Sequence, residues 1–597
     1  MSNSSPTPDA RRPTARTAVP FQHRAHYRAS TLVSMPVPRP GQYAPPPRTR
    51  SWGWGYEDGK ISPQVIQMGQ VALGYLSERF GVNLEQRDPA PFQPASLPAS
   101  RIEPPRSIAR LCSVDPKERA AHAYGKSYRD LVRARQGDFS HPPDLVAFPA
   151  DEDDVVDVLD WCSASGAAAI PYGGGTSVVG GVEPEPRRLP EAEASRPAVT
   201  IDLRRLAGLI DVDEVSRTAT IRAGTLGPSI EDALRPYDLT LRLFPQSFEL
   251  STLGGWIATR AAGHFTTGPT RIDSFVEALL VITPSGIVET LQVPSSGAGP
   301  DPNALFLGSE GSLGVITQAT VRLLARPRFF SSGVVDFATF AGGVSAVRAL
   351  AMSGLQPASC RLLDEAEAVL GGLGDGSRSA LLLGFESADH PRVSAFERAL
   401  EICAGIGGVL RDTAEHRDTG PHTGGGIGTP GAAHTGDTAT WRETFLAAPY
   451  IRDVLISAGV ICDTFETAAT WTHLEELVEG VRSAAQDAFR EAGTSGGLIS
   501  CRLTHAYPDG AAPYFTVLAP TRAGSGLGEH AFLKDSISAA IASLHGTITH
   551  HHAVGRDHLR WYESEAPAAF RRALTAAKQS LDPNGIMNPG VLVSPAS

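Results

Sequence analysis

No apolar run in this 597-residue chain is long enough to span a bilayer, and no charged-then-apolar leader opens it. A cytoplasmic protein is therefore expected, with any membrane association peripheral. Positive charge is also short: 53 Lys and Arg against 64 Asp and Glu leave a net charge of −11. That excludes the basic field a nucleic-acid binder needs. Only six cysteines occur, and none stands in a CxxC or other metal-type spacing (Cys112, Cys162, Cys360, Cys403, Cys462, Cys501). They read as reduced, mostly buried thiols rather than a disulfide or zinc framework. What is present is 42% hydrophobic and 20% charged residues, the balance of a globular protein, with chain enough for two to four domains.

Residues 1 to about 50 are rich in Pro, Ser, Thr and Arg without periodicity, so a disordered tail is expected. Helical patterns and Pro-rich connectors follow to about 140. Asp151 to Ser163 carries Val155, Val158, Leu159 and Cys162 at helical spacing behind an acidic first turn, which predicts a helix. Short strands are expected at Leu145 to Phe148, Ala198 to Leu203, Thr218 to Arg222 and Ala278 to Thr283, with a polar loop at Arg187 to Ser195. After Arg328 strands and helices alternate, interrupted at 412–440 by a Gly/Thr/His/Pro-rich stretch that reads as a mobile loop. Near the end come a strand-like His545 to Thr549, a histidine cluster and a helix from Glu565 to Gln579.

Three glycine-rich segments carry the chemistry. In Pro171 to Gly181, residues Gly173, Gly174 and Gly175 followed by Thr176 and Ser177 let backbone N–H groups crowd a phosphate oxygen, with two hydroxyls beside them. No Gly-Lys-Ser/Thr follows, so this is not a Walker loop. In Phe244 to Gly263, a Ser/Thr-rich turn passes through Gly254 and Gly255 into a helix of small residues, against which a flat ring can lie. Leu307 to Thr317 is a tight turn entering a strand. Three such loops within one region imply a large ligand with a diphosphate and a planar ring.

In this order the segments resemble the FAD-binding domain of the vanillyl-alcohol oxidase/para-cresol methylhydroxylase (PCMH) superfamily. The resemblance implies that FAD is held by Tyr172, Gly173, Gly174, Gly175, Thr176, Ser177 and Val178. The second segment would add Gln246, Ser247, Phe248, Glu249, Leu250, Ser251, Thr252, Thr259, Arg260, Ala261 and Ala262. The third would add Glu310, Gly311, Ser312, Leu313, Gly314, Val315 and Ile316. Members that tether the flavin carry His where Thr176 stands, so non-covalent FAD is implied.

Later motifs narrow the family. Cys360 to Asp364, Pro449 to Asp453, Thr464 to Thr467 and Gly546-Thr547-Ile548-Thr549-His550-His551-His552-Ala553-Val554-Gly555 look like the alkyldihydroxyacetonephosphate synthase family, which usually shows Gly where Ala553 stands. The resemblance covers roughly residues 50 to 597. It implies an α+β chain: a two-subdomain PCMH-type FAD-binding domain (141–328), an α+β cap or substrate domain with an antiparallel sheet (329–540, holding the insertion 412–440), and a C-terminal segment returning to the FAD domain (541–597), behind the tail 1–50 and a helical region 51–140.

The implied activity exchanges the acyl group of acyl-dihydroxyacetone phosphate for a long-chain alcohol through an adduct at flavin N5, a step of ether lipid synthesis. Tyr514 would be the acid/base for the C1 proton, Arg452 the phosphate clamp, Arg361 a group near flavin and acyl chain, and His550, His551 and His552 the lining of the reacting carbon. A guanidinium fork suits a phosphate dianion better than an ammonium does. Each assignment has a structural competitor: Tyr514 lies in an alternating strand pattern, and Arg361 and Arg452 each stand near an Asp. No metal is expected, because Ser500 to Gly510 keeps His505 but lacks the second histidine of metal-dependent relatives, and adjacent histidines on extended chain point to opposite faces. The expected partners are a small-molecule or lipid substrate, a second copy of the chain in a homodimer, and a membrane surface touched peripherally. The alternatives are an FAD-dependent oxidase or dehydrogenase of a hydroxy acid or alcohol on the same fold, and a catalytically silent FAD or lipid carrier.

Overall fold

The computed structural model describes residues 46–184, 196–411, 415–418, 436–494, 496–522 and 526–593. The tail up to residue 45, the polar loop Arg187 to Ser195 and most of the insertion 412–440 lie outside the described residues. Where the insertion is described it is not the expected loop but a strand, Glu415–Asp418, paired with Phe329–Phe337, and the start of the cap helix Gly436–Ser457.

The helix Glu152–Ser165 forms where the apolar spacing places it. Asp151 caps it by accepting from the Asp154 N–H, its first turn holds Glu152, Asp153 and Asp154, and Gly166 ends it at φ 70°. Its buried face, Val155, Val158, Leu159 and Cys162, lies in one core with the strand residues Leu145, Ala169, Val199 and Ile201. The strands run Cys112–Ser113, Leu145–Ala147, Ala198–Asp202, Ala168–Tyr172 across a four-stranded sheet, parallel except for the first. An unbroken apolar run such as Ala167 to Ile170 is what a strand buried on both faces requires.

A second sheet of five antiparallel strands follows, in the order Leu209–Asp213, Thr218–Arg222, Val315–Arg322, Val276–Thr283, Gly286–Glu289. The third and largest sheet is antiparallel throughout. Its main path runs Val409–Leu410, Phe329–Phe337, Ser379–Ser387, Ser359–Leu363, Leu498–Ala506, Gly510–Pro520, Val460–Glu466. Helices Phe340–Met352, Val393–Gly405, Trp471–Ala492 and Gly526–Ser543 contribute side chains to its core. The C-terminal segment returns to the first sheet, where Asn588 donates to the Ala169 carbonyl and Ala169 to the Ile586 carbonyl. The architecture is thus α+β, with two glycine-loop subdomains, an antiparallel cap and a returning C-terminus. Among the described residues no helix is long and apolar enough to cross a membrane.

Two local expectations fail near the end of the chain. His545 to Thr549 is not a strand: His545 sits at φ 61° and the segment turns and bends. The helix expected over Glu565 to Gln579 is two helices, Leu559–Glu565 and Ala568–Leu581. Pro567 separates them, because a proline disfavours helical geometry in the residue before it.

Candidate active site

A cavity of about 330 Å³ opens where the three glycine segments meet the cap sheet. Tyr172 through Val178 form one wall, Gln246, Ser247, Ser251, Thr252, Thr259, Ala261 and Ala262 a second, and Glu310, Gly311, Gly314 and Ile316 a third. From the cap come Arg361, Phe445, Arg452, Cys462, Thr464, Arg502, Thr504, His505, Tyr514 and Thr516, and from the C-terminal segment His551 and His552.

The first loop fits a diphosphate. Among the described residues, the N–H groups of Gly174 through Val178 have no protein acceptor, though they line the cavity. Orphaned N–H groups in a glycine loop are what an anion satisfies. A Cβ on Gly174 would overlap the Leu250 carbonyl, and Gly175 holds φ 65°. Thr252 caps the helix Leu253–Thr259, aiming that helix start into the same space.

Eight residues named from the sequence stand outside the lining. Phe248 stacks with Trp256 in the core at 6.1 Å, and Leu250, Leu313 and Val315 are buried. Arg260 pairs with Asp273 at the exposed helix end, and the Ser312 hydroxyl donates to the Ser309 carbonyl. Glu249 accepts from the Tyr450 hydroxyl (2.9 Å) and Trp54 Nε1 (3.3 Å), tying the second glycine segment to the cap helix and to the N-terminal region. His550 lies behind His551, with Nε2 2.8 Å from the Tyr507 hydroxyl.

The cap strands present a register-matched row. Glu466, Tyr514 and Arg502 are direct cross-strand partners, as are Thr464, Thr516 and Ser500 in the next inward row. Tyr514 is 4% exposed, and the Arg502 guanidinium lies 4.0 Å from its ring centroid. Burial raises its pKa, with Arg502 pulling the other way. Its ring stacks on His551 at 6.2 Å and meets His552 edge-on at 5.5 Å.

Neither cap arginine is consumed by its neighbouring Asp. Asp364 pairs with Arg482 at 2.8 Å and accepts from the Cys501 and Glu367 N–H groups. Arg361, 2% exposed, instead donates to the His264 carbonyl (2.7 Å) and faces the rings of Trp441 (4.5 Å) and Phe445 (5.4 Å). Burial, then Arg502, pulls its pKa down to about 9. Asp453 accepts from the Trp54 N–H (2.5 Å). Among the described residues, the Nε atoms of Arg361, Arg452 and Arg502 have no partner. Buried guanidinium groups with open donors call for an anionic ligand.

Glu466 organises the histidines. It is 3% exposed; Oε1 accepts from the Thr549 hydroxyl (2.6 Å), His551 N–H (2.8 Å) and His552 N–H (2.6 Å), while Oε2 lies 2.8 Å from His551 Nδ1. Burial pushes its pKa up, yet the facing His551 and His552 rings and the His551 bond hold it well below the usual carboxylate range. His551 Nε2 has no protein partner among the described residues. Burial and His551 lower the His550 pKa to about 3, and burial lowers that of His552 to about 3 despite Glu466. Because this segment turns, the alternating-face reason for excluding a metal does not apply. Ring nitrogens of His505, His550 and His551 lie within 4.8 Å of one another. His505 faces the Gly263 carbonyl (3.2 Å) and Thr504 hydroxyl (3.0 Å), and His550 the Tyr507 hydroxyl, so both already have protein partners.

Sequence reasoning placed Glu466, Arg502 and Thr504 in motif segments but gave none of them a role. For Glu466 a signal existed: Cys462, Thr464 and Glu466 share one face of a strand at period two, and a carboxylate on an inward face needs a reason. For Thr504 beside His505 there was none. A register shift between Leu503 and His505 brings adjacent residues onto one wall.

Comparison with known proteins fits this geometry. Residues 143–292 match the family described as "FAD binding domain", and residues 326–592 match "FAD linked oxidases, C-terminal domain". The chain is 31% identical to the alkyldihydroxyacetonephosphate synthase of Trypanosoma brucei brucei over 493 residues, 81% of this chain and 79% of that one. It is 30% identical to the Dictyostelium discoideum enzyme of the same name over 584 residues, 91% and 92% of the two chains. A solved alkyldihydroxyacetonephosphate synthase structure superposes with a TM-score of 0.71 at 23% identity, covering 91% of this chain and 97% of that one, which shows the shared fold.

Proposed function

Because this chain belongs to the alkyldihydroxyacetonephosphate synthase family, we propose that its cavity exchanges the acyl group of acyl-dihydroxyacetone phosphate for a long-chain alcohol. It is an FAD-dependent enzyme of that family, and the product belongs to ether lipid synthesis. The observation that carries the reading is the convergence of open arginine donors with a phenol and a carboxylate-backed imidazole on one wall of the glycine-loop cavity. FAD-linked oxidoreductases are also relatives, at 25% identity or so, but nothing in the cavity favours net oxidation over transfer.

The residues divide the work as follows. Residues 141–328 hold FAD, 329–540 form the substrate cap, and Gly174 to Val178 hold the diphosphate. When bound, FAD supplies a nucleophilic ring nitrogen without net redox change. Arg452 holds the substrate phosphate with donors that the protein leaves open. Arg361, in its aromatic box, stabilises the charge that develops on the departing acylate. Such a group counts for more in a dry cavity than in water. Tyr514 and His551 take and return the C1 proton. Glu466 accepts His551 Nδ1–H, which fixes the tautomer and leaves Nε2 as the base facing the cavity. A homodimer and peripheral membrane contact belong to the same proposal; sedimentation and vesicle flotation test them.

The test is spectroscopic. In the FAD-loaded protein without oxygen, acyl-dihydroxyacetone phosphate should change the flavin spectrum, and a long-chain alcohol alone should leave it unchanged. Bleaching by the alcohol alone would instead establish an oxidase or dehydrogenase.

A further inference from the structure

The tight turn at residues 49–56 lies outside the FAD-holding and cap segments in sequence, yet it is wedged between them in space. Thr49 and Tyr56 bridge across its base, and the Arg50 N–H donates to the Gly55 carbonyl at 2.9 Å. The Arg50 side chain reaches over to the Trp54 carbonyl at 3.1 Å, and buried Lys126 donates to the Arg50 carbonyl. Gly53 approaches the cap helix so closely that a Cβ there would stand 2.7 Å from Asp453 Oδ2. The Trp54 N–H donates to the same oxygen, on the residue next to the Arg452 clamp.

The Trp54 side chain is buried and spans the cavity wall. Part of it lines the cavity, and its Nε1–H points to Glu249, an exposed carboxylate that also accepts from Tyr450. Which end of the cavity this is follows from the cap helix Gly436–Ser457, because Phe445 and Arg452 both face the cavity from it. At about 1.5 Å per residue, Arg452 stands roughly 10 Å along the axis from Phe445. Phe445 belongs to the aromatic box around Arg361, at the acyl end. Arg452 and Trp54 mark the opposite end, where the phosphate sits.

We propose that Trp54 is a specificity-determining residue: its indole closes the phosphate end of the cavity, so that the site takes a terminal phosphate monoester and turns away a phosphate carrying a further group. The proposal rests on the transfer reading with Arg452 as the phosphate clamp. An indole is broad and rigid, with few rotamers to spare. Its backbone is held by Asp453 and its ring by Glu249, so shifting the whole residue breaks both hydrogen bonds. The ring therefore acts as a fixed stop, and a substituent on the phosphate would have to occupy its volume.

The test uses the full-length, FAD-loaded chain and two substrates, acyl-dihydroxyacetone phosphate and its phosphate methyl ester. It reads kcat/KM for ether product from each in wild type, Trp54→Phe and Trp54→Ala. Taking the ratio of the two substrates cancels any loss of folded protein. The charge lost on esterification is the same in every variant, so a change in the ratio reports the wall. Wild type should prefer the free phosphate, and Trp54→Ala should shrink that preference by roughly tenfold or more, the scale on which a pocket senses one carbon. The change should come chiefly from a lower KM for the methyl ester, with FAD content unchanged. Trp54→Phe keeps a ring on the same backbone and should stay within about threefold of the wild-type preference. Equal use of the two substrates by wild type would overturn the wall without recourse to any variant. So would an unchanged preference in Trp54→Ala, or loss of FAD from that variant while the preference stands. All three results leave the transfer reading intact, whereas absence of ether product in the wild type would sink both.

Discussion

Replacing Glu466 by glutamine separates chemistry from scaffolding. If the glutamine oxygen takes the place of Oε1, the Thr549 hydroxyl and the His551 and His552 N–H groups keep their acceptor. The amide nitrogen then stands where Oε2 now lies 2.8 Å from His551 Nδ1, and donor would face donor. The ring relieves this by moving its proton to Nε2, which turns the cavity-facing base into a donor. A charge-assisted bond is lost and a neutral one gained, a cost of about 1–3 kcal/mol in stability. Catalysis should fall much further, by roughly 10²–10⁴ in kcat, as when a carboxylate that sets a catalytic imidazole's tautomer becomes an amide. Ether product would be measured at saturating substrate beside FAD content and thermal unfolding. A kcat within about threefold of wild type despite a lowered melting temperature would refute the dyad and reduce Glu466 to a structural acceptor.

Other outcomes follow from single contacts. Gly174→Ala should abolish FAD retention on gel filtration, because the added methyl meets the Leu250 carbonyl backbone rather than a movable side chain. Arg452→Ala should raise KM for the phosphorylated substrate with FAD content unchanged, by the roughly ten- to hundredfold that a charge-assisted bond of about 1.5–3 kcal/mol contributes. Glu310 accepts from the Val554 and Gly555 N–H groups at 2.9 and 2.8 Å, and burial lifts its pKa to about 7. The folded state therefore holds that proton more tightly than the unfolded chain does. Its contribution is fully present below the unfolded value near 4.5 and is lost as pH rises through about 7. Glu310→Gln should flatten the fall in melting temperature between those pH values; an unchanged slope would contradict it. Ala553 occupies φ 74° where the family usually has glycine. Ala553→Gly should stabilise by about 0.5–1 kcal/mol, the left-handed strain of about 1–2 less the extra freedom of the unfolded chain.

The helix ahead of the first glycine loop and the strands beside it were legible because their signals are local: Asp151 as cap, apolar residues at 3.6 spacing, and an unbroken buried run before the glycines. The cap row is different. Tyr514 could be named only through resemblance, and nothing in the chain near Arg502 reveals that its guanidinium would lie on that ring. Glu466, over 80 residues before the histidines it binds, is meaningful only once the sheet register places it under them. The histidine segment misled because an alternation rule was applied to residues that turn. The positive φ of His545 and Ala553 on either side is paid for by tertiary contacts and leaves no periodic trace.

The most direct measurement is turnover of the FAD-loaded enzyme without oxygen or any electron acceptor, with acyl-dihydroxyacetone phosphate and an ¹⁸O-labelled long-chain alcohol. A non-redox transfer gives one fatty acid per ether product, with the label in the ether and the flavin returned to its starting spectrum. Label absent from the product, or turnover that halts after one flavin equivalent until an acceptor is added, would contradict the transfer reading at its centre.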